Sequence, residues 1–237
     1  MNRKLLPRLE FSPNRTLTSQ IFEFMREQIV EKTITPGTPL SENDLATHFD
    51  VSRHPVREAL NKLSLLGLID ILPQKGTFVS KISVNGLFEI CFVRCAIECQ
   101  AIRKSVNLDD KSFKKIIDRL EKCIDQQYKW LEKQTHNEKF LNLDDSFHST
   151  ICDFSQTSLA WNVLENVKAN MDRIRYLSIG TFSDSKSLID EHKTILEFIK
   201  NKQIEEACAL IEKHAYEITH TYKPIMEENK EWFLEEN

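Results

Sequence analysis

The stretch SENDLATHFDVSRHPVREALNKLSLLGLIDILPQKGTFVS, residues 41 to 80, limits what this chain can fold into more than any other. Ser41 sits where a hydroxyl can accept from a backbone N–H of a first helical turn. Leu45, Ala46 and Phe49 follow about one turn apart and give a short helix a single apolar stripe. Asp50-Val51 turns the chain, and Ser52 caps a second helix with Pro55 in its first turn, where a missing N–H costs nothing. Val56, Ala59, Leu60, Leu63 and Leu66 then fall at helical spacing, leaving Arg53, His54, Arg57 and Asn61 on the other side near the helix start. Gly67 is the expected stop. Two short apolar strands follow, 68–72 and 77–79, joined by Pro73-Gln74-Lys75-Gly76, a tight glycine-containing turn that signals a hairpin. The pattern predicts a winged helix-turn-helix, three helices plus a hairpin wing, whose second motif helix meets base edges in a DNA groove. Candidate DNA-binding residues are Ser41, Asn43, Ser52, Arg53, His54, Arg57, Asn61, Lys75 and Gly76. A small helix-hairpin domain with merely solvated arginines is the rival reading. The spacing, the caps and the basic tip together favour DNA.

Charge supports a local rather than a general affinity for nucleic acid. The 237-residue chain carries a formal net charge of −4, yet residues 53 to 81 hold five Lys+Arg against two Asp+Glu. A basic patch on an acidic body fits a specific DNA binder that does not coat DNA indiscriminately. The five glycines form no phosphate-cradling cluster, which argues against nucleotide chemistry of the usual loop kinds. No stretch approaches the ~18 apolar residues of a membrane span, and the N-terminus lacks an apolar signal core, so a cytoplasmic protein is expected.

Ahead of the motif, residues 1 to 15 form a basic, proline-punctuated arm. Thr18 or Ser19 is expected to cap a helix running to about Lys32, with Ile21, Phe22, Met25 and Ile29 on one face. Beyond a linker at 80–86, six long helical patterns run at about 84–105, 109–134, 137–154, 157–179, 184–200 and 203–226. Breaks are marked at Asn107-Leu108-Asp109, Thr135-His136-Asn137, Ser155 to Ser158, Gly180 to Ser183 and Asn201-Lys202-Gln203. Long helices with short joins pack as antiparallel neighbours, so an all-α bundle of six or so helices is expected. The domains are thus 1–80, 84–226 and an acidic tail at 227–237. Leu87, Ile90, Val93 and Ile97 make the expected buried stripe of the first bundle helix. Cys91, Cys95 and Cys99 share one face of that helix and read as small buried apolar residues in a reducing compartment.

Four bundle residues carry chemistry. Asp144 and His148 lie at i and i+4 on one helix face, and His192 and His214 sit on the last two long patterns. If those helices are neighbours, three imidazoles and a carboxylate converge on one ion, a set that suits zinc, nickel, iron or manganese. Asp145, Asp190 and Glu191 are candidate acceptors for the outer ring nitrogens. Read bottom-up, a His–Asp pair at this spacing is more often a surface ion pair, and spacing alone leaves both readings open.

The run "VSRHPVREAL" through "GLI…GTFV" resembles the DNA-binding domain of the GntR family of bacterial transcription regulators. The resemblance implies that Arg53 and Arg57 contact operator bases and that Lys75 reaches a groove from the wing. Asn43 stands where many members carry arginine, and His54 replaces the usual threonine, so operator preference does not transfer. "NGLFEICFVRCAIE", "LNLDDSFHSTI" and "DEHKTILEFIKNKQIEEACALIEKH" resemble, in order, the all-helical (FCD) ligand-binding domain of the FadR-type branch. That likeness implies a metal site at Asp144, His148, His192 and His214, zinc or nickel first, and an effector-binding arginine at Arg94. Arg173, Arg175 and Asn170 are further effector-binding candidates. The expectation is a homodimeric repressor on double-stranded, inverted-repeat DNA, modulated by a small organic carboxylate and touching no membrane. Two rivals remain: a metal that is structural or is itself the signal, and a helical metalloenzyme fused to a DNA-binding domain.

Overall fold

The computed structural model describes residues 6–133, 138–178 and 185–234. Its first helices are α1 (Leu17–Val30), α2 (Glu42–Phe49) and α3 (Arg53–Leu65), followed by strands β1 (Ile69–Leu72) and β2 (Gly76–Val79). Then come α4 (Val84–Lys104), α5 (Asp110–Lys133), α6 (Glu138–Cys152), α7 (Leu159–Val167) and α8 (Ala169–Leu177). The last are α9 (Ser185–Lys200), α10 (Ile204–Tyr216) and α11 (Ile218–Glu228). Among the described residues no helix is long and apolar enough to cross a membrane. The chain packs as two compact units. One takes residues up to Gly86, Val167–Leu177 and the segment from Pro224 onward; the other takes Leu87–Asn166 and Ser178–Lys223.

The first unit is the winged helix-turn-helix that the sequence predicts. Thr16, not Thr18 or Ser19, caps α1, its Oγ1 accepting from the Ser19 N–H at 3.2 Å. The buried face of α1 is Ile21, Phe24, Met25, Gln28 and Ile29, so Phe24 takes the core place assigned to Phe22. Ser41 caps α2 through the Asp44 N–H at 3.2 Å, and Asp50 ends it in the left-handed region at φ 53°. A short polar side chain tolerates that region better than most. Gly67, at φ +66°, ends α3 with paired bonds from Gly67 N to Ser64 O and from Leu68 N to Leu63 O. These two bonds satisfy carbonyls that the helix end would otherwise orphan. Met25, Ile29, Leu45, Val56, Ala59, Leu63 and Leu68 are fully buried between the three helices and the hairpin. Each large apolar side chain so enclosed contributes about 1.5–3 kcal/mol.

The wing is antiparallel, with Ile69 opposite Val79 and Leu72 opposite Gly76. A third segment lines its edge: Gly37 N donates to Val79 O, Val79 N to Thr38 O and Leu40 N to Thr77 O. Nothing in the sequence marked that addition, since Thr35 to Leu40 read only as a turn and a lead-in.

Helix α8 and the end of the chain complete this unit. The Arg173 guanidinium has no exposed surface; it donates to Ser80 O at 2.9 Å and to Asn170 Oδ1 at 3.2 Å, and lies 5.9 Å from the Trp232 ring centroid. Ile82 N donates to Trp232 O and Leu234 N to Ile82 O, a parallel bridge that seats Phe233 in the core. The described part of the expected acidic tail is therefore docked, not frayed. Residues 7 to 15 also lie on this unit, with Ser12 and Gln20 hydrogen-bonded to each other and Phe11 against Phe49.

The second unit is all helix. Its core gathers Ile102, Leu120, Phe147, Ile151, Phe154, Ile189, Ile195, Ile199, Ala207 and Ile211. On α4 the buried face runs through Leu87, Ile90, Cys91, Glu98, Cys99 and Ile102, turned away from Val93 and Ile97, which are only half-buried. Cys91 and Cys99 are core residues as expected, while Cys95 is half-buried; all six cysteines are free thiols. Two of the six predicted runs come as pairs of helices. The 157–179 run breaks at Lys168, where the chain passes from the second unit to the first. The 203–226 run breaks at Glu217, where its N–H reaches back only three residues to His214 O at 3.4 Å while the backbone stays helical. The expected breaks at Thr135 to Asn137 and at Gly180 to Ser183 lie outside the described residues.

Candidate DNA interface and metal centre

On the first unit, Asn43, Ser52, Arg53, His54, Arg57, Asn61, Lys75 and Gly76 are all exposed, and Ser41 is half-buried with its hydroxyl committed to the α2 cap. Ser52 has the extended backbone of an N-cap but its side chain makes no capping bond. Arg53, His54 and Arg57 come from the first turns of α3, where the unsatisfied N–H groups and the helix dipole favour phosphate nearby. Lys75 occupies the wing tip between Gln74 at φ 61° and Gly76 at φ +112°, and only glycine adopts the latter readily. Sequence reasoning missed one partner. Glu42, the first residue of α2, accepts from Arg57 Nε at 3.1 Å and from Arg57 Nη2 at 2.9 Å, and these bonds hold its carboxyl below the usual range. That contact joins residues fifteen apart across the helix-turn-helix, a distance no local pattern reports.

In the second unit Asp144, His148, His192 and His214 come together, one ligand atom from each lying within 4.8 Å of the others. Helix α6 supplies Asp144 and His148, α9 supplies His192, and α10 supplies His214 from its last turn. All four are buried, and Phe147 stacks on His192 with ring centroids 4.2 Å apart. His192 Nε2 lies 3.4 Å from Asp144 Oδ1, and His148 Nε2 lies 3.8 Å from the same oxygen, too long for a hydrogen bond. The His192 and His214 Nε2 atoms face each other at 3.2 Å.

The outer nitrogens explain why this convergence matters. His148 Nδ1 meets Glu98 Oε2 at 2.8 Å, His192 Nδ1 meets Gln127 Oε1 at 2.9 Å, and His214 Nδ1 meets Glu191 Oε2 at 2.9 Å. Gln127 is oriented by its amide donating to Leu143 O, so its oxygen must face the imidazole. With acceptors on every Nδ1, each ring carries its proton outward and turns a lone pair inward. Two lone pairs at 3.2 Å repel unless a cation or a proton sits between them. Burial, then the charges of His214 and His148, hold His192 well below the usual imidazole range, so it is a neutral ligand near pH 7. The donor set thus fits a divalent ion. Of the acceptors expected from sequence, Glu191 is in place; its hydrogen bond from His214 holds its carboxyl at about 2. Asp190 instead accepts from Tyr128 and Lys186. Glu98 and Gln127, on α4 and α5, were missed because nothing in their local sequence separates them from other helix residues.

Arg94 lies in this same unit on α4, and its Nε donates to Glu98 Oε1 at 2.8 Å. The other three effector candidates belong to the first unit. There Arg173 is committed to Ser80 and Asn170, and Arg175 pairs with Asp172 at 3.0 Å.

Comparison with known proteins agrees with both halves. Residues 17–79 match the bacterial regulatory proteins of the gntR family, and residues 89–217 match the FCD domain. The chain is 36% identical over 227 residues to the HTH-type transcriptional repressor RspR of Escherichia coli, covering 96% of this chain and 98% of that one. It is 30% identical over 186 residues to the gluconate operon transcriptional repressor of Bacillus subtilis, covering 75% and 73%. Among solved structures, McbR/YncC of E. coli shares the fold with a TM-score of 0.70 at 20% identity, covering 91% of this chain and 99% of that one.

Proposed function

The chain belongs to the GntR family of bacterial transcription regulators, with an FCD domain behind its DNA-binding domain, and from that premise we propose that its helical unit senses a metal-assisted organic acid. It is a DNA-binding transcription regulator and not an enzyme. In the proposal, Asp144, His148, His192 and His214 hold one divalent ion, zinc or nickel by preference, with iron or manganese also compatible with the donor set. When bound, the ion supplies a positive centre that an outside carboxylate oxygen can complete, and Arg94 grips that carboxylate from α4. The protein acts as a homodimer that sets two α3 helices on an inverted-repeat operator. Repression is the mode, supported by the name of the 36% identical E. coli relative, and in the proposal the acid relieves it.

The observation that carries this reading is the pair of facing His192 and His214 nitrogens, 3.2 Å apart with both outer nitrogens already on acceptors. Elemental analysis of the purified protein tests it, beside a His148→Ala/His192→Ala double variant. The expected result is about one metal per chain in the parent and background levels in the variant. No metal in either, after refolding with zinc and with nickel, sinks the metal reading and leaves DNA binding untouched.

A further inference from the structure

Glu98 has no exposed surface, and its two oxygens serve two different masters. Oε1 accepts from Arg94 Nε at 2.8 Å, one turn earlier on α4, and Oε2 meets His148 Nδ1 on α6 at 2.8 Å, where an ionised carboxylate can only accept. The carboxylate is planar, so the guanidinium and the imidazole are fixed relative to one another through it. Arg94 supplies an obligate donor, since a guanidinium has no acceptor. Glu98 in turn keeps the His148 proton on Nδ1 and the lone pair of Nε2 toward Asp144, His192 and His214.

We infer that Glu98 is a positioning residue that couples Arg94 to the metal ligand His148, so that the anion site and the metal site of the helical unit are set by one carboxylate. This rests on the metal reading given above. The coupling is reciprocal: an anion that draws on Arg94 changes the hold of the site on its ion, and the ion changes the hold on the anion by the same factor. A buried ion pair that only stabilised α4 would have no such consequence, because its loss would lower folding stability and leave zinc affinity alone.

Glu98→Gln separates the two. Its amide oxygen can serve one donor, but its NH2 then faces the other. Facing His148, it forces the ring to accept at Nδ1 and to carry its proton on Nε2, where the ligand lone pair is needed. The measurement is zinc affinity of the full-length protein, by competition with a fluorescent chelator, with the melting temperature of the metal-free protein taken in parallel. Glu98→Gln is expected to weaken zinc by about 10–100-fold. Arg94→Lys removes the Nε donor without touching any ligand; it is expected to weaken zinc several-fold. The double variant should lose less than the two single losses combined, because Arg94 and His148 meet on one carboxylate. Parent-level zinc affinity in Glu98→Gln overturns the inference and leaves the metal reading standing. Unchanged affinity in Arg94→Lys, or losses that simply add, overturn the coupling, and this arm stands even if Glu98→Gln does not fold. A parent protein that binds no zinc removes the metal reading, and the inference with it.

Discussion

The two units of this chain carry their chemistry in opposite ways. In the DNA-reading unit the side chains proposed to contact DNA are on the surface or half-buried, and the buried residues between α1, α2, α3 and the hairpin are almost all apolar. In the helical unit the side chains of the proposed metal site and their outer partners are the buried ones: Asp144, His148, His192, His214, Glu98 and Gln127 all lie inside. An exposed site tolerates substitution at little cost to folding. A buried polar site must satisfy every donor and acceptor at once, so its outer partners are as necessary as the ligands. Function and stability are therefore separable in the first unit and bound together in the second.

The sharpest test of that contrast is the most deeply buried charged side chain described in the reading unit. Arg173 is held down to about 10 by burial alone, and its partners are a carbonyl, an amide and an indole. Arg173→Ala leaves a cavity and strips a donor from Ser80 O, and should cost about 2–4 kcal/mol by thermal or urea unfolding. Arg173→Met fills most of the volume and should cost less. Metal content should not change in either; a variant that lost its ion would break the separation.

Arg57→Ala comes next. If Arg57 reads a base, specific binding should weaken by roughly ten- to a hundredfold, with melting temperature near that of the parent. Selection from a randomised duplex library supplies the operator, and a fluorescence titration gives the affinity. An unchanged ratio of specific to random binding would remove Arg57 from base reading.

Acidification acts on the helical unit. His192 is held below its ordinary value in the folded chain, so as pH falls through about 6.5 the unfolded chain takes up its proton first. The stability this contributes is present above about 6.5 and is lost below it, by up to about tenfold in the folding equilibrium per pH unit. Glu191, held at about 2, adds a further loss only as pH falls from about 4.5 toward that value. Metal release should follow the first window, since protons compete for the same imidazoles. Hydrogen exchange resolved by segment should show α6, α9 and α10 loosening while α1 to α3 hold. Equal loosening of both would contradict the contrast. Lys75→Ala is the smallest effect: affinity for all duplexes falls modestly and the salt slope drops by about 1, if the wing tip meets phosphate.

Legibility in the sequence followed the same division. The helix-turn-helix and wing of the reading unit lie in one contiguous stretch, where caps, turns and apolar spacing are local events, so α2, α3 and the hairpin could be placed from the sequence. What was lost there was partly near the motif, the Thr16 cap, the core place of Phe24, the Glu42–Arg57 pair and the edge segment at 37–40, and partly from far along the chain, the α8 contacts and the partners of Trp232-Phe233. In the helical unit only the Asp144–His148 spacing is local. His192, His214, Glu98 and Gln127 arrive on four other helices, and helical periodicity does not say which helices are neighbours. The turn of α4 toward Cys91 and Glu98 was hidden because Val93 and Ile97 offer an equally apolar stripe. A buried glutamate is also the residue that a hydropathy argument assigns last to a core.

The bridge between Ile82 and Phe233 has a consequence for the timing of synthesis. The DNA-reading unit is built from three separate segments, and its closing contacts come from residues about 150 positions after the wing. A ribosome adding roughly 5–20 residues per second needs on the order of ten seconds to cover that interval. Throughout it the wing and α3 already exist, but Ile82 lacks its partner, and Arg173, once made, still lacks its indole. A nascent chain thus cannot hold a finished reading head until its helical unit has also been made.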